Sequence, residues 1–140
     1  MKVLINNCYG GFGLSHEACK LWLERNNISF IENKDNYGDM QFIIDGDINY
    51  VSHLISRDDS TMIQIFEEKG SEFVSGYCSE LILVEVPDGC QYRIGEYDGM
   101  EDIDQIWIEV TLDELKNGLS QEQLDMVSKG CNVVLKKSSV

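Results

Sequence analysis

The sequence predicts a mixed α+β fold that forms a single compact domain over residues 1–140. Short apolar runs typical of strands alternate along the chain with capped, amphipathic segments typical of helices. Turn signals rich in glycine, asparagine and aspartate separate these segments. A chain of 140 residues with 43% hydrophobic content can bury about two-thirds of its unfolded surface, which is enough for one packed core. The predicted element order is β-α-β-β-β-α-β-β-β-α-α-β.

The first third of the chain is predicted to contain four strands and one helix. Lys2–Asn6 forms a buried strand, because valine, leucine and isoleucine follow one another without polar alternation. A helix follows the N-cap Ser15, with apolar residues at three- and four-residue spacing. Ile28–Glu32 and Met40–Asp45 are the next strands, and an Asp-Gly hairpin signal leads to another strand near Ile48–Val51.

A second helix and a hairpin are predicted for the middle of the chain. Asp58 or Asp59 caps the helix, and Gly76 lies just past its end. Methionine, isoleucine and phenylalanine supply its buried stripe. Leu81–Val86 and Gln91–Tyr97 are expected to pair as a hairpin, because the Pro-Asp-Gly tripeptide between them suits a tight turn.

Two strands and two short helices are predicted for the remainder of the chain. Asp98-Gly99 marks a turn, and Ile106–Val110 is a strand with alternating side chains. Thr111–Glu114 and Ser120–Gln123 both fit the capping-box pattern, in which serine or threonine is followed three residues later by glutamate or glutamine. Each of them therefore begins a short helix. Asn132–Lys136 closes the chain as a strand.

The chain is strongly acidic, and its charge is concentrated in the middle third. The net charge is −14, and residues 57–110 carry 14 acidic and 3 basic side chains. Such a chain repels DNA, RNA and anionic membranes, so we expect neither nucleic acid nor a membrane as a direct partner. The apolar runs are too short to span a bilayer, and the opening residues do not have the pattern of a signal peptide. A cytoplasmic location is therefore expected.

The segment between the first strand and the first helix contains Gly10, Gly11 and Gly13. A strand, a glycine loop and a capped helix follow one another in nucleotide-binding βαβ units, and Glu32 stands 19 residues after Gly13, near the position of a ribose-binding acid. The segment lacks the third glycine of G-x-G-x-x-G, and no Gly-Lys-Ser/Thr follows it. Two interpretations stay open: an anion site at the helix start, and a tight turn in which glycine permits positive φ.

The sequence predicts no catalytic constellation, no metal site and no cofactor. Cys8 lies beside a helix N-terminus and His16 or His53 could serve as its base, but no motif ties these residues together. The five cysteines are an odd number without C-x-x-C spacing, which favours reduced thiols over a zinc site or a disulfide framework. The acidic string from Glu96 to Asp104 lacks the spacing of a calcium loop. We therefore expect a protein that is not an enzyme.

Four short sequence blocks are distinctive: I-N-N-C-Y-G-G-F-G-L-S-H-E-A at residues 5–18, R-D-D at 57–59, L-V-E-V-P-D-G at 83–89 and I-G-E-Y-D-G at 94–99. Together they resemble a family of small proteins common in phages and prophages. The resemblance implies an origin in a mobile element that acts inside a bacterium, and a compact α+β fold. It implies no catalytic residue. Members of that family end soon after the last block with a basic-aromatic tail, so residues 111–140 are expected to be a C-terminal addition.

Small, acidic, cytosolic phage proteins often bind and inhibit host machinery. We therefore expect a non-enzymatic inhibitor of a bacterial defence system, of the anti-CRISPR kind. Its acidic face would mimic nucleic acid and bind the basic channel of a host defence nuclease, or of another basic nucleic-acid-binding protein. Apolar anchors among the carboxylates would supply affinity. The predicted partner-binding residues are Glu96, Tyr97, Asp98, Met100, Glu101, Asp102, Asp104 and Trp107.

The alternative function is the capture of a nucleotide second messenger, with the glycine loop cradling its phosphates. The ligand-binding residues would then be Gly10, Gly11, Gly13, Ser15 and Arg57. Few basic side chains are available for an anionic ligand in a chain this acidic. Homo-oligomerisation could gather them at an interface between copies.

Overall fold

The computed structural model describes residues 1–88 and 90–136, and it has the mixed α+β architecture that the sequence predicts. The strands are β1 (Lys2–Asn6), β2 (Ile31–Lys34), β3 (Met40–Ile44), β4 (Asp47–Asn49), β5 (Leu81–Glu85), β6 (Tyr92–Tyr97), β7 (Met100–Gln105), β8 (Trp107–Val110) and β9 (Asn132–Leu135). The helices are α1 (His16–Arg25), α2 (Ser60–Lys69), α3 (Ser71–Val74), α4 (Leu112–Asn117) and α5 (Gln121–Ser128), with a 3₁₀ helix at Val51–His53. No helix in these residues combines the length and the apolar character that crossing a membrane requires.

The strands form four small sheets. β1 is hydrogen-bonded to β5, β6 to β7, and β8 to β9, while β2, β3 and β4 form a three-stranded sheet in that order. The three-stranded sheet is antiparallel. β8 and β9 run parallel, with Trp107 opposite Asn132 and Val110 opposite Leu135.

The chain divides into two compact units. The larger unit comprises Lys2–Val84 and Glu96–Asp102. The smaller unit comprises Met1, Glu85–Gly95 and the described residues from Ile103 onward. The glycine segment after β1 and the end of the β6–β7 hairpin therefore belong to the same unit. The prediction of a single domain stays a prediction.

The core of the larger unit joins strands β1 and β5 to helices α1 and α2. Leu4, Leu23, Met62, Ile65 and Leu81 are each at most 1% exposed and belong to one apolar cluster. Full burial of a side chain of this size contributes about 1.5–3 kcal/mol. This cluster fixes the end of β1 and the start of α1, which are the two ends of the glycine segment.

Two predicted N-caps begin the two long helices. The Ser15 hydroxyl accepts a hydrogen bond from the Ala18 amide at 3.0 Å and donates one to the Phe73 carbonyl at 2.6 Å. Asp59 caps α2, since its carboxylate accepts from the Met62 amide at 2.7 Å and from the indole of Trp22 at 2.9 Å. Both caps therefore also bind a residue from another helix, which ties α1, α2 and α3 together.

The second predicted helix is in fact two helices. Gly70 has a φ of +89°, which lies outside the helical region, and it separates α2 from α3. The apolar stripe continues past this break, because Val74 of α3 is buried together with Met62 and Ile65 of α2. The apolar stripe therefore predicted one helix, because it continues across the glycine that separates the two.

The predicted pairing of Leu81–Val86 with Gln91–Tyr97 is wrong. β5 pairs with β1, and β6 pairs with β7, a strand that the prediction did not contain. The turn predicted at Asp98-Gly99 joins β6 to β7, and its two residues have φ values of +51° and +89°, as a type I′ turn requires. The last glycine of the predicted Pro-Asp-Gly turn, Gly89, lies outside the described residues.

The other local predictions differ mainly at element boundaries. The Asp45-Gly46 turn joins β3 to β4 with φ values of +53° and +83°. β2 begins at Ile31 rather than Ile28, and β4 ends at Asn49 because the next residues form the 3₁₀ helix.

Both predicted capping boxes are confirmed in the smaller unit. The Thr111 hydroxyl accepts from the Glu114 amide at 3.1 Å, and the Glu114 carboxylate accepts from the Thr111 amide at 3.2 Å. Ser120 and Gln123 exchange the same two bonds at 3.1 and 2.9 Å. Local signals thus define α4 and α5, although neither helix has a buried residue.

Candidate functional site

Close approaches of backbone surround the glycine segment that follows β1. A Cβ atom added at Gly10 would lie 1.8 Å from the Cys78 carbonyl oxygen, and one added at Gly99 would lie 2.6 Å from the Gly11 nitrogen. A Cβ at Gly76 would lie 3.1 Å from the Gly13 carbonyl. We call the five glycines, Gly10, Gly11, Gly13, Gly76 and Gly99, the glycine corner. Here the backbone of residues 10–13 packs against that of residues 76–78 and against the turn at Gly99.

Asn6 ties the three stretches of the glycine corner together. Its side chain is fully buried, and its amide nitrogen donates to the carbonyls of Cys8 and Gly99, both at 2.8 Å. Its amide oxygen accepts from the Glu80 backbone at 2.8 Å and from the Cys8 thiol at 3.3 Å. A buried amide that is satisfied on all sides holds its neighbours in one arrangement, because each lost bond would leave a buried polar group unpaired.

A partly buried ion pair lies close to the hairpin turn. Arg57 donates to both carboxylate oxygens of Glu101, at 2.7 and 2.9 Å, and its guanidinium lies 3.4 Å from the centre of the Phe12 ring. The Glu101 carboxylate also accepts from the Asn6 backbone at 2.8 Å. The side chain of Glu101 is only 7% exposed and that of Arg57 is 26% exposed. Residues from three of the four distinctive sequence blocks, together with Glu101, therefore converge here.

Two of the residues predicted to hold a nucleotide, Ser15 and Arg57, are already engaged within the protein. The Ser15 hydroxyl and amide bind Phe73 and Val74, and Arg57 is held by Glu101. Glu32 accepts from Lys20 at 2.8 Å and from His16 at 2.9 Å, and these bonds lower the pKa of its carboxyl. Close packing thus explains the glycine at position 10 and a positive φ explains Gly11, while the binding of a nucleotide stays a prediction.

A groove of about 250 Å³ opens beside α1 and the three-stranded sheet. Both histidines line it, together with Met40, Ile48 and Tyr50. The described residues that line this groove include neither lysine nor arginine. An anionic ligand would therefore find no fixed positive charge in its wall.

The predicted partner-binding carboxylates fall into different environments. Asp98 and Asp102 are exposed and form no ion pair within the described part of the chain. Glu96 accepts from the Gly99 amide across the turn, and Asp104, in the smaller unit, lies 3.9 Å from Arg93. Glu101 differs from all of these, because it is buried and paired. A partner that binds this hairpin would therefore contact its exposed carboxylates and not Glu101.

The apolar anchors predicted for the same surface also differ. Tyr97 is 79% exposed next to the turn, whereas Met100 is half-buried. Trp107 is more than half exposed and belongs to the smaller unit. The exposed members of the predicted set in the larger unit are therefore Glu96, Tyr97, Asp98 and Asp102.

Two further exposed tyrosines lie at the glycine corner and were not predicted. Tyr9 is 63% exposed and Tyr77 is fully exposed. Tyr9 precedes Gly10, Tyr77 precedes the Cys78 that Gly10 contacts, and the Tyr9 carbonyl lies against Gly99. The sequence signal was a tyrosine beside a turn glycine in Y-G-G, G-Y-C and Y-D-G. Only the packing of these three backbone segments shows that the tyrosines lie on neighbouring parts of the structure.

The cysteine and the two histidines considered for catalysis have separate partners. The Cys8 sulfur lies 3.3 Å from both the Asn6 amide oxygen and the Cys78 carbonyl oxygen, and its single S–H donates to one of them at a time. The His16 ring stacks on Phe42 with centroids 4.2 Å apart. Across the described residues, no group of three histidine, cysteine or acidic side chains is arranged to hold a metal ion.

Thiol labelling is expected to distinguish the buried cysteine of α1 from the exposed one at the corner. Burial raises the pKa of the Cys19 thiol to about 12, whereas Cys78 is exposed. Because the thiolate is the reactive form, an alkylating reagent should modify Cys78 first and Cys19 only after unfolding. Peptide mass spectrometry after timed alkylation measures both rates. Equal rates in the folded protein would contradict the packing of α1.

Comparisons of this chain with models of known protein families, with curated proteins and with solved structures find no match. Arguments about its function therefore depend on the site itself.

Proposed function

We propose that this chain is a small, phage-derived, non-enzymatic inhibitor of a bacterial defence system, of the anti-CRISPR kind. It acts by occupying the basic nucleic-acid channel of a host nuclease complex. The observation that carries the proposal is the glycine corner, where exposed Tyr9 and Tyr77 lie on backbone stretches that pack against one another and against the turn after Tyr97. Asp98 and Asp102 of the same hairpin are exposed and form no ion pair among the described residues. A firmly held turn that presents tyrosines among carboxylates has the properties of a protein-binding surface.

The charge of the chain supports a basic partner. A net charge of −14 attracts a cationic channel over distances of up to about a Debye length and speeds association. The same charge repels nucleic acid, so the chain competes with nucleic acid for the channel rather than binding it. Competition of this kind inhibits a nuclease without any chemical step.

The internal bonds of the corner support high affinity. Asn6 binds the backbone of Gly99, and Arg57 pairs with Glu101 two residues further on. The turn that carries Tyr97 and Asp98 is therefore ordered before a partner arrives. A preorganised surface loses less conformational entropy on binding than a mobile loop does.

Binding should depend on the corner and weaken with salt. A variant that combines Tyr97→Ala, Asp98→Asn and Asp102→Lys should capture a nuclease complex from bacterial lysate at least about tenfold less well than the unaltered chain, because it loses one aromatic anchor and two negative charges. Asparagine is chosen at position 98 because it tolerates the φ of +51°. The unaltered chain should lose most of its capture when the salt concentration is raised, as measured by quantitative pull-down.

The matched control combines Tyr37→Ala, Asp39→Asn and Asp47→Lys, which alter an exposed tyrosine and two exposed carboxylates of the β2–β4 region and change the net charge by the same three units. This control should capture the complex as the unaltered chain does, and double-stranded DNA in excess should prevent capture. Equal loss in both variants would contradict the placement of the surface. Capture that is insensitive to salt and DNA would contradict the proposal itself.

A thermal-shift screen separates this proposal from nucleotide capture. A ligand that binds the folded state raises the melting temperature by mass action. A rise of several degrees with a cyclic dinucleotide or an ADP-ribose derivative would overturn the inhibitor proposal in favour of messenger binding. An unchanged melting temperature agrees with a protein partner.

A further inference from the structure

An exposed apolar face lies in the smaller unit, on β8, β9 and the two helices between them. Eight large apolar side chains between residues 107 and 135 are each between 38% and 55% exposed. They are Trp107, Leu112, Leu115, Leu124, Val127, Val133, Val134 and Leu135. We call this set the C-terminal apolar face. Single exposed apolar residues are ordinary, but a contiguous stretch of sequence with this many indicates a contact surface.

The sheet in this region lacks the cover that its type requires. β8 and β9 run parallel and pair with no further strand in the described part of the chain. Parallel strands occur almost always with both faces covered, and two strands alone are marginally stable. Val133 and Val134 point to opposite faces because they are consecutive in a strand, and both are exposed. Both faces of the strand pair therefore have accessible apolar side chains.

The connecting helices do not supply the missing core. Neither α4 nor α5 has a buried residue, although both have complete capping boxes. Leu115 of α4 and Leu124 of α5 are each about half exposed. Helices of 6 and 8 residues are too short to be stable by propensity alone, so they depend on packing of an apolar face.

The charge distribution indicates which partner covers this face. Residues 111–140 carry four basic and four acidic side chains, whereas the whole chain carries a net charge of −14. Two copies of such a chain repel each other wherever their acidic regions approach. At a neutral, apolar segment two copies can meet with little of that cost. A basic partner would instead be drawn to the acidic regions.

We infer that the C-terminal apolar face is the surface through which two copies of this chain associate. The contact is isologous, so each copy offers the same strands and helices to the other around a two-fold axis. It covers the side of the β8–β9 pair that carries Trp107 and Val134, and it removes their apolar surface from water. This self-association does not depend on the proposed inhibitory function, because none of its residues lies at the glycine corner.

Sedimentation or light scattering of the full chain tests this inference. The unaltered chain should have twice the mass of 15.9 kDa, and the dimer should strengthen as salt is raised, because salt screens the repulsion between two acidic copies. Salt should therefore act in opposite directions on self-association and on capture of a basic partner. A monomer at every salt and protein concentration would overturn the inference.

Two separate variants locate the contact. Leu115→Lys on α4 and Val134→Lys on β9 should each weaken the dimer at least about tenfold, although each lowers the net negative charge and so reduces general repulsion. Ile31→Lys on β2 makes the same charge change at an exposed apolar residue of the larger unit, and it should leave the dimer intact. Circular dichroism confirms folding of each variant. Dimers that persist in both variants, or that are lost equally in the control, would overturn this surface.

Discussion

Replacing Glu101 by alanine is expected to lower the free energy of unfolding by about 2–3 kcal/mol. The change leaves the Arg57 guanidinium with only the Leu4 carbonyl, at 3.3 Å, and the face of Phe12, and it leaves the Asn6 amide without its acceptor. Removing one partner of a buried ion pair costs far more than the pair itself contributes, because the remaining charge stays desolvated. Urea denaturation monitored by circular dichroism measures the difference.

The adjacent residue provides the control. Asp102 is exposed and has no ion pair among the described residues, so Asp102→Ala should change stability by less than about 0.5 kcal/mol. The double change Arg57→Met and Glu101→Leu should recover part of the loss, because no unpaired charge remains, although the Asn6 amide still lacks its acceptor. A mild effect of Glu101→Ala would show that water reaches Arg57 and that the hairpin turn is held less firmly than proposed.

Local sequence signals predicted the helices well because each signal involves neighbouring atoms. The caps at Ser15 and Asp59 and the two capping boxes are hydrogen bonds between residues at most three positions apart. The two Asp-Gly turns likewise follow from φ preferences of the residues themselves. Such features can be predicted from a short window of sequence.

Strand pairing could not be predicted in the same way, because it depends on residues far apart in the chain. The Pro-Asp-Gly tripeptide suits a turn but does not select the partner of β5. That partner is β1, at the start of the chain. β7 was missed since its sequence, M-E-D-I-D-Q, combines residues of low strand propensity with apolar positions three residues apart. Its pairing with β6 across a type I′ turn determines its conformation.

The candidate surface was predicted only in part for the same reason. The exposed acidic turn at Asp98 follows from composition and local turn signals. The burial of the Glu101 side chain depends on Arg57, which is 44 positions away. A pattern read over a short stretch of sequence does not include both residues. Tyr9 and Tyr77 join the surface only because Gly10 packs against the Cys78 backbone.

Substituting alanine at Gly10 should destabilise the protein by about 3 kcal/mol or more. A Cβ atom there would lie 1.8 Å from the Cys78 carbonyl oxygen, and the obstacle is backbone rather than the flexible end of a side chain. The segments around Tyr9 and Tyr77 would have to separate, so capture of the nuclease complex should fall together with stability. Urea denaturation and the pull-down measure the two effects in the same preparation.

Alanine at Gly13 is the informative comparison. No atom lies within 4 Å of a Cβ added at Gly13, and its φ is not positive, so Gly13→Ala should be neutral or stabilise by up to about 1 kcal/mol by restricting the unfolded chain. If close packing is the reason for the glycines, the two substitutions must differ in this way. If both preserved stability but Gly13→Ala abolished a thermal shift with a nucleotide, the glycines would serve a ligand instead. The pair of variants thus distinguishes a glycine segment required for close backbone packing from one that binds a phosphate.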